Sequence, residues 1–265
     1  MNTIMCRLAI VSIGLMVISL TFTLHSEGRI DLETAMGVWL FDEGAGNVVK
    51  DISGNDNHGE IQGAQWVEGP SGPALSFNGV SDRVVIPDSD SLYLEKAWAL
   101  TAWVFVSSAE DNYGSIITKR IGNETNYAFR TGSGTNGWDV YFRRDDAWQG
   151  AWNQGTITKD TWVYMTATYD GENTLAIYEN GVKIGSADVG GPPPRDTSEV
   201  NIGARPGDTT QMLHGMLYDV AIFSVALNEE EIKNLMEDGV ANAVRVTAVD
   251  PSAKLATVWG RVKSQ

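Results

Sequence analysis

Residues 161–186 read TWVYMTATYDGENTLAIYENGVKIGS. From Trp162 to Tyr169 the side chains alternate: Trp162, Tyr164, Thr166 and Thr168 share one face, and Val163, Met165, Ala167 and Tyr169 share the other. A period of two in β-branched and aromatic residues predicts a strand. Both faces are partly apolar, which suits a sheet packed against a second layer. A further run, Leu175–Glu179, is followed by Asn180-Gly181 and Val182, and Asn-Gly between two such runs is the strongest short signal for a hairpin turn.

The same texture extends in both directions. Short apolar runs at Gly37–Phe41, Ala74–Phe77, Val84–Ile86, Leu100–Val106, Ser115–Lys119, Tyr127–Arg130, Trp138–Arg143, Val200–Ile202 and Leu217–Phe223 are separated by Gly, Asn and Asp. These are strands enough for two sheets. Trp39, Trp103, Trp138 and Trp162 lie in such runs and are assigned to the core. The 28 glycines of the 265 residues exceed the roughly 7% average and suit many tight turns. One helix is expected: Asn228 caps Glu229–Met236, three glutamates complement the positive end of its dipole, and Gly239 stops it.

The N-terminus carries Arg7, the apolar run Leu8–Leu24 and a polar HSEG, the pattern of a secretory signal peptide. Residues 1–28 are read as that signal, cleaved after Gly28, 29–239 as the domain and 240–265 as a C-terminal tail. An uncleaved anchor is the competing reading, because the run nears the length that spans a bilayer. Export makes the protein secreted or cell-surface. The only cysteine, Cys6, falls in the signal, so the mature domain holds no internal disulfide. With 43% hydrophobic and 20% charged residues the composition is that of a globular protein, and no membrane contact beyond the signal is expected. Acidic residues outnumber basic ones 34 to 19, a field that repels nucleic acid.

Several segments together resemble the LamG-like jellyroll domains of the concanavalin A-like lectin/glucanase superfamily, with laminin-G and pentraxin relatives. They are VWLFDEGAGNVVKDISGNDNHGEI at 38–61, LTAWVFVSS at 100–108, SIITKR at 115–120, the 161–186 stretch, and HGMLYDVAIFSVALNEEEI at 214–232. The resemblance runs in order from about Gly37 to Met236. It implies an all-β fold, a two-sheet antiparallel jellyroll β-sandwich with one short C-terminal helix, and a secreted, usually non-catalytic binding module. Relatives often hold a structural calcium between the early Asp/Asn loop and an acidic pair on the closing strand. That pair aligns here with Tyr218-Asp219, of which only Asp219 is a carboxylate.

The same fold also carries glycosidases, whose paired carboxylates stand roughly 5 Å apart in retaining enzymes. No E-x-D-x-x-E run of the glucanase kind occurs in this chain. Glu229-Glu230-Glu231 belongs to the helix start. Asp145 and Asp146 are adjacent, so on a strand they would face opposite ways. No G-x-S-x-G occurs, and His25, His58 and His214 are isolated. Gly132, Gly134 and Gly137 form a G-x-G-x-x-G, but a strand follows where a dinucleotide site needs a helix.

Two stretches are candidate sites. Asp51-Ile-Ser-Gly-Asn-Asp-Asn57 concentrates hard oxygen donors and suits Ca²⁺, with Asp51, Asn55 and Asp219 as candidate ligands; equally, it suits an Asx-rich turn bonded to its own backbone. It is not an EF-hand, since Asp56 and Gln62 occupy the sixth and twelfth positions. Trp148 and Trp152, with Arg143 nearby, combine flat apolar faces and fork-shaped donors, the equipment for stacking on sugars. The competing reading is hairpin packing. The functional expectation is a binding module for extracellular carbohydrate or a protein surface, of unspecified oligomeric state. The alternatives are a glycan hydrolase or lyase of the same fold and a structural cell-surface adhesion module.

Overall fold

The computed structural model describes residues 30–107, 113–122, 124–132, 137–207 and 210–245. The signal segment with Cys6, the tail from 246 and Gly134 lie outside the described residues. In chain order the strands are β1 (Ile30–Asp31), β2 (Ala35–Trp39), β3 (Val48–Val49), β4 (Gly59–Gln62), β5 (Gln65–Gly69), β6 (Gly72–Asn78), β7 (Arg83–Ile86), β8 (Trp98–Val106) and β9 (Ser115–Ile121). They continue as β10 (Glu124–Thr131), β11 (Trp138–Arg144), β12 (Ala147–Gln154), β13 (Trp162–Tyr169), β14 (Thr174–Glu179), β15 (Val182–Asp188), β16 (Val200–Ile202) and β17 (His214–Phe223). Two short helices, α1 (Glu229–Asp238) and α2 (Val240–Ala243), precede β18 (Val244–Arg245).

Two eight-stranded antiparallel sheets form the sandwich. One has the order β12-β11-β10-β9-β16-β7-β4-β3; the other runs β15-β14-β13-β8-β17-β6-β5, with β2 added beside β17. Every run expected from sequence lies within or overlaps one of these strands. Val163, Met165, Ala167 and Tyr169 of β13 face Phe129, Val140 and Phe142 of the first sheet across a shared apolar core. Asn180-Gly181 makes the expected two-residue turn, with φ of 50° and 73°, a conformation that costs glycine nothing.

The other face of β13 has a different neighbour from the one expected. Tyr164, Ala99 and Phe223 project away from the core onto α1 and α2, where Ile232, Leu235 and Val240 cover them in a second apolar cluster. The helices thus form a third layer. Trp103 and Trp162 lie on this outer face, half-buried, instead of in the core: Trp103 stacks on Tyr218 at 5.7 Å and Trp162 meets it edge-on at 5.1 Å. Trp39 and Trp138 are fully buried as expected.

Helix α1 begins at its capping box. The Asn228 side chain accepts from the Glu230 and Glu231 N–H groups, and Glu231 accepts from the Asn228 N–H. The chain reverses at Gly239, as expected, but does not leave the domain there. Val240, Ala243 and Val244 are buried, and Val244 pairs in parallel with Ile30, so residues 240–245 of the segment read as tail belong to the folded body.

Candidate functional site

Strand parity builds the site. On β9, β10, β11 and β12 alternate residues enter the core, so Arg120, Arg130, Tyr141, Trp148 and Trp152 emerge together on the outer face of the first sheet. The register aligns them: Arg130 lies opposite Asp139, Tyr141 opposite Gly150, and Arg143 opposite Trp148. With Tyr113 and Gln211 from neighbouring segments they line an open cleft of about 290 Å³. Among the described residues Trp148 and Trp152, 41% and 37% exposed, are the only Phe, Tyr or Trp side chains left substantially open to solvent.

Tyr141 is the centre of the cleft. Trp152 stacks on it at 4.9 Å and 25°, and Trp148 meets it edge-on at 5.5 Å and 81°. Gly150 makes this possible, because a Cβ there would stand 2.8 Å from the Trp152 ring and 2.7 Å from the Tyr141 Cβ. Two guanidinium groups brace the rings. Arg120 lies 4.5 Å from the Trp148 ring and donates from Nη1 to the Tyr141 hydroxyl at 3.0 Å. Arg130 lies 4.0 Å from the Tyr113 ring and 4.7 Å from that of Tyr141. It donates from Nε and Nη2 to Asp139 Oδ2, each at 3.2 Å, and from Nη1 to Gln211 at 2.9 Å. Such contacts stabilise by about 0.5–2 kcal/mol each, so the aromatic plates are held before any ligand arrives.

Arg143 has a supporting place. It approaches Trp148 to 5.4 Å and donates to Asp146 at 3.2 Å, but does not line the cleft. Asp145 and Asp146 are not on a strand: with φ of 51° and 60° they form the turn that joins β11 to β12. Each faces an arginine, Asp145 with Arg144 and Asp146 with Arg143.

The Asp51 loop resolves into the turn alternative. Asp51 Oδ1 accepts from the N–H groups of Val38 and Ser53, and Oδ2 accepts from the Ser53 hydroxyl and the Asn57 N–H, at 2.8–2.9 Å. Two oxygens with four donors aimed at them do not fit a cation ligand. The Asn55 amide donates to the carbonyls of Ala35 and Met36. Asp219 is tied elsewhere, accepting from the Val240 N–H at 3.1 Å. Among the described residues no three His, Cys, Asp or Glu side chains are grouped to hold a metal ion. Asp51, Asn55 and Asp219 therefore do not make the donor set that calcium requires.

Asp219 is nonetheless unusual. It has φ of 53° at a bulge in β17, and its Oδ1 is buried without a hydrogen-bond partner. Burial raises its pKa from the usual 3.8 to about 6, against the opposing Val240 hydrogen bond. A second cleft, about 420 Å³, opens beside Phe105, Met216 and His214 on the second sheet, but it has no exposed aromatic plate.

Sequence reading found the two tryptophans and missed Tyr113, Arg120, Arg130, Tyr141 and Gln211. A signal existed for three of these: Arg120 shares strand parity with Thr118, Arg130 with Asn126 and Ala128, and Tyr141 with Asp139 and Arg143, the parity opposite to Tyr127, Phe129, Trp138, Val140 and Phe142 on β10 and β11. Gln211 is 81 positions from Arg130 and carries no local signature.

Residues 78–233, from the end of β6 into α1, match the family described as the concanavalin A-like lectin/glucanases superfamily. A comparison with curated proteins finds no match. Among solved structures the chain is similar to the binding domain of Paraclostridial Mosquitocidal Protein 1, at 16% identity and a TM-score of 0.66, over 78% of this chain and 52% of that one. It is also similar to domain 4 of the extracellular arabinanase AbnA from Geobacillus stearothermophilus, solved in complex with arabinotriose, at 16% identity and a TM-score of 0.60, over 76% of this chain and 98% of that one. A third likeness is to the binding domain of botulinum neurotoxin DC in complex with rat synaptotagmin II, at 14% identity and a TM-score of 0.61, over 79% and 52%. The chain thus spans about half the length of the two toxin binding domains. At these identities the likeness is one of fold, and function has to be argued from the site. The family match covers most of both sheets and accords with the sandwich just described: this chain belongs to the concanavalin A-like lectin/glucanases superfamily.

Proposed function

We propose that the chain is an exported, non-catalytic module that binds extracellular carbohydrate in the cleft formed by Tyr141, Trp148 and Trp152. The observation that carries this reading is the exposure of two indoles, both braced against Tyr141, on an otherwise polar sheet face. Sugar rings present C–H surfaces that pack on aromatic faces and hydroxyls that need fork-shaped or amide donors, and Arg120, Arg130 and Gln211 stand beside the rings. The arabinotriose complex of the arabinanase domain is in keeping with such a role for a fold of this kind. Binding without turnover is favoured by the carboxylates at hand: Asp139 is already taken by Arg130 and the Asn153 N–H, which leaves no facing acid pair in the cleft among the described residues.

The test is retention on a glycan array. Trp152→Ala is expected to weaken retention about tenfold or more, with a melting curve close to that of the parent. Equal retention would reject the cleft, and release of reducing sugar ends from a retained glycan would replace binding by catalysis. Export predicts an N-terminus near Arg29 in secreted material; an intact Met1 would refute cleavage.

A further inference from the structure

Arg120 is in an unusual electrostatic position. The residue is only 6% exposed, yet its guanidinium reaches neutral acceptors alone: Nε donates to the Gly122 carbonyl at 3.0 Å and Nη1 to the Tyr141 hydroxyl at 3.0 Å. Among the described residues Nη2 makes no hydrogen bond and no carboxylate pairs with this side chain. Its charged neighbours are Arg205 and Arg130, which repel it, and burial together with that repulsion holds its pKa below the ordinary value while Tyr141 opposes the shift. The chain has no shortage of acids, 34 against 19 bases, and it supplies them to other cations: Lys119 has Asp88, Arg130 has Asp139, Arg144 has Asp145 and Arg195 has Asp90. A desolvated cation without a counter-ion is expensive, and the Trp148 ring at 4.5 Å offsets only part of that cost.

Resting on the carbohydrate reading above, we infer that the cleft selects acidic saccharides, and that Arg120 receives the carboxylate of a uronic acid or a sulfate ester while the aromatic plates hold the ring. A guanidinium fork matches either oxyanion with two parallel hydrogen bonds, and in a partly desolvated site these are stronger than bonds to a neutral hydroxyl. Since the whole molecule carries a net charge of −15, long-range attraction cannot supply such a preference. It has to come from the local cluster.

The purified chain is tested on an array of glycans in matched pairs: uronic-acid oligosaccharides beside their methyl esters, and sulfated oligosaccharides beside their desulfated forms. The charged member of one pair is expected to bind about tenfold tighter or more, and the pair that shows this identifies the anion. Arg120→Gln is expected to bring the charged-to-neutral ratio close to one, whatever neutral affinity it loses with the bracing of Trp148 and Tyr141, while Arg120→Lys retains part of the ratio. If Arg120→Gln fails to fold, the paired ligands on the unaltered protein still decide. Equal binding of charged and neutral members, both abolished by Trp152→Ala, would overturn the acidic preference and leave the carbohydrate reading standing. An array that retains no glycan would overturn both.

Discussion

Asp51 holds together three stretches of chain with one side chain. Its carboxylate receives N–H groups from β2, from its own turn and from Asn57, while its own N–H donates to His58 Nδ1 at 3.0 Å. Asp51→Ala would leave the buried Val38 and Asn57 N–H groups unpaired, at about 1–3 kcal/mol for each. A loss of about 2–4 kcal/mol in urea unfolding is expected. The loss should be the same with and without a chelator, and a chelator-dependent part would restore calcium to this loop. Asp219 carries the opposite balance. A carboxyl whose folded value, about 6, lies above the usual 3.8 binds its proton more tightly in the folded state. The fold therefore loses this contribution as pH rises from about 4 to 6, and at neutral pH it carries a buried charge worth on the order of 3 kcal/mol. Asp219→Asn can keep an acceptor for Val240 and avoids the charge. Its stability relative to the parent should improve between pH 4 and pH 7.5, and a difference that does not vary with pH would mean that Asp219 titrates normally.

The hairpin β11–β12 carries both tryptophans, and its turn is an unusual one. Asp145 and Asp146 both adopt positive φ, where Asn-Gly would be unstrained. Their ion pairs with Arg144 and Arg143 are almost fully exposed on the aspartate side, 90% and 97%, so they contribute little. Replacing the pair by Asn-Gly is expected to raise the melting temperature by a few degrees, on the order of 1 kcal/mol for a domain of this size, and to leave glycan retention unchanged. A lower melting temperature would show that the two aspartates contribute more than the turn costs. This hairpin also marks where sequence reading stopped. Trp138–Arg143 was legible because its alternation is strong. Ala147–Gln154 was not read as a strand, since its core face offers only Ala151 among fully buried residues and its other face is polar, glycine or exposed indole. The site was half legible for the same reason: parity places Arg120, Arg130 and Tyr141 on an outer face, but only the pairing of four strands brings them together.

At the scale of the molecule, the feature that sequence concealed was the third layer. A strand with two apolar faces signals two packing partners, and nothing in residues 161–186 says whether the second is a sheet or a helix. Hence Trp103 and Trp162 read as core, although they flank the helical layer. That layer is closed by Val240, Ala243 and Val244. Truncation after Asp238 removes these buried side chains and is expected to lower stability by about 3–5 kcal/mol, with retention on glycan intact below the new midpoint. Loss of retention at low temperature would instead tie the cleft to the helical layer. The pairing of Ile30 with Val244 has one more consequence. The first and last parts of the described body thus lie side by side on the helical flank, whereas Trp148 and Trp152 look out from the opposite flank. Whatever is joined at Ile30 or Val244 would therefore start from behind the sandwich, with the aromatic mouth opening on the far side.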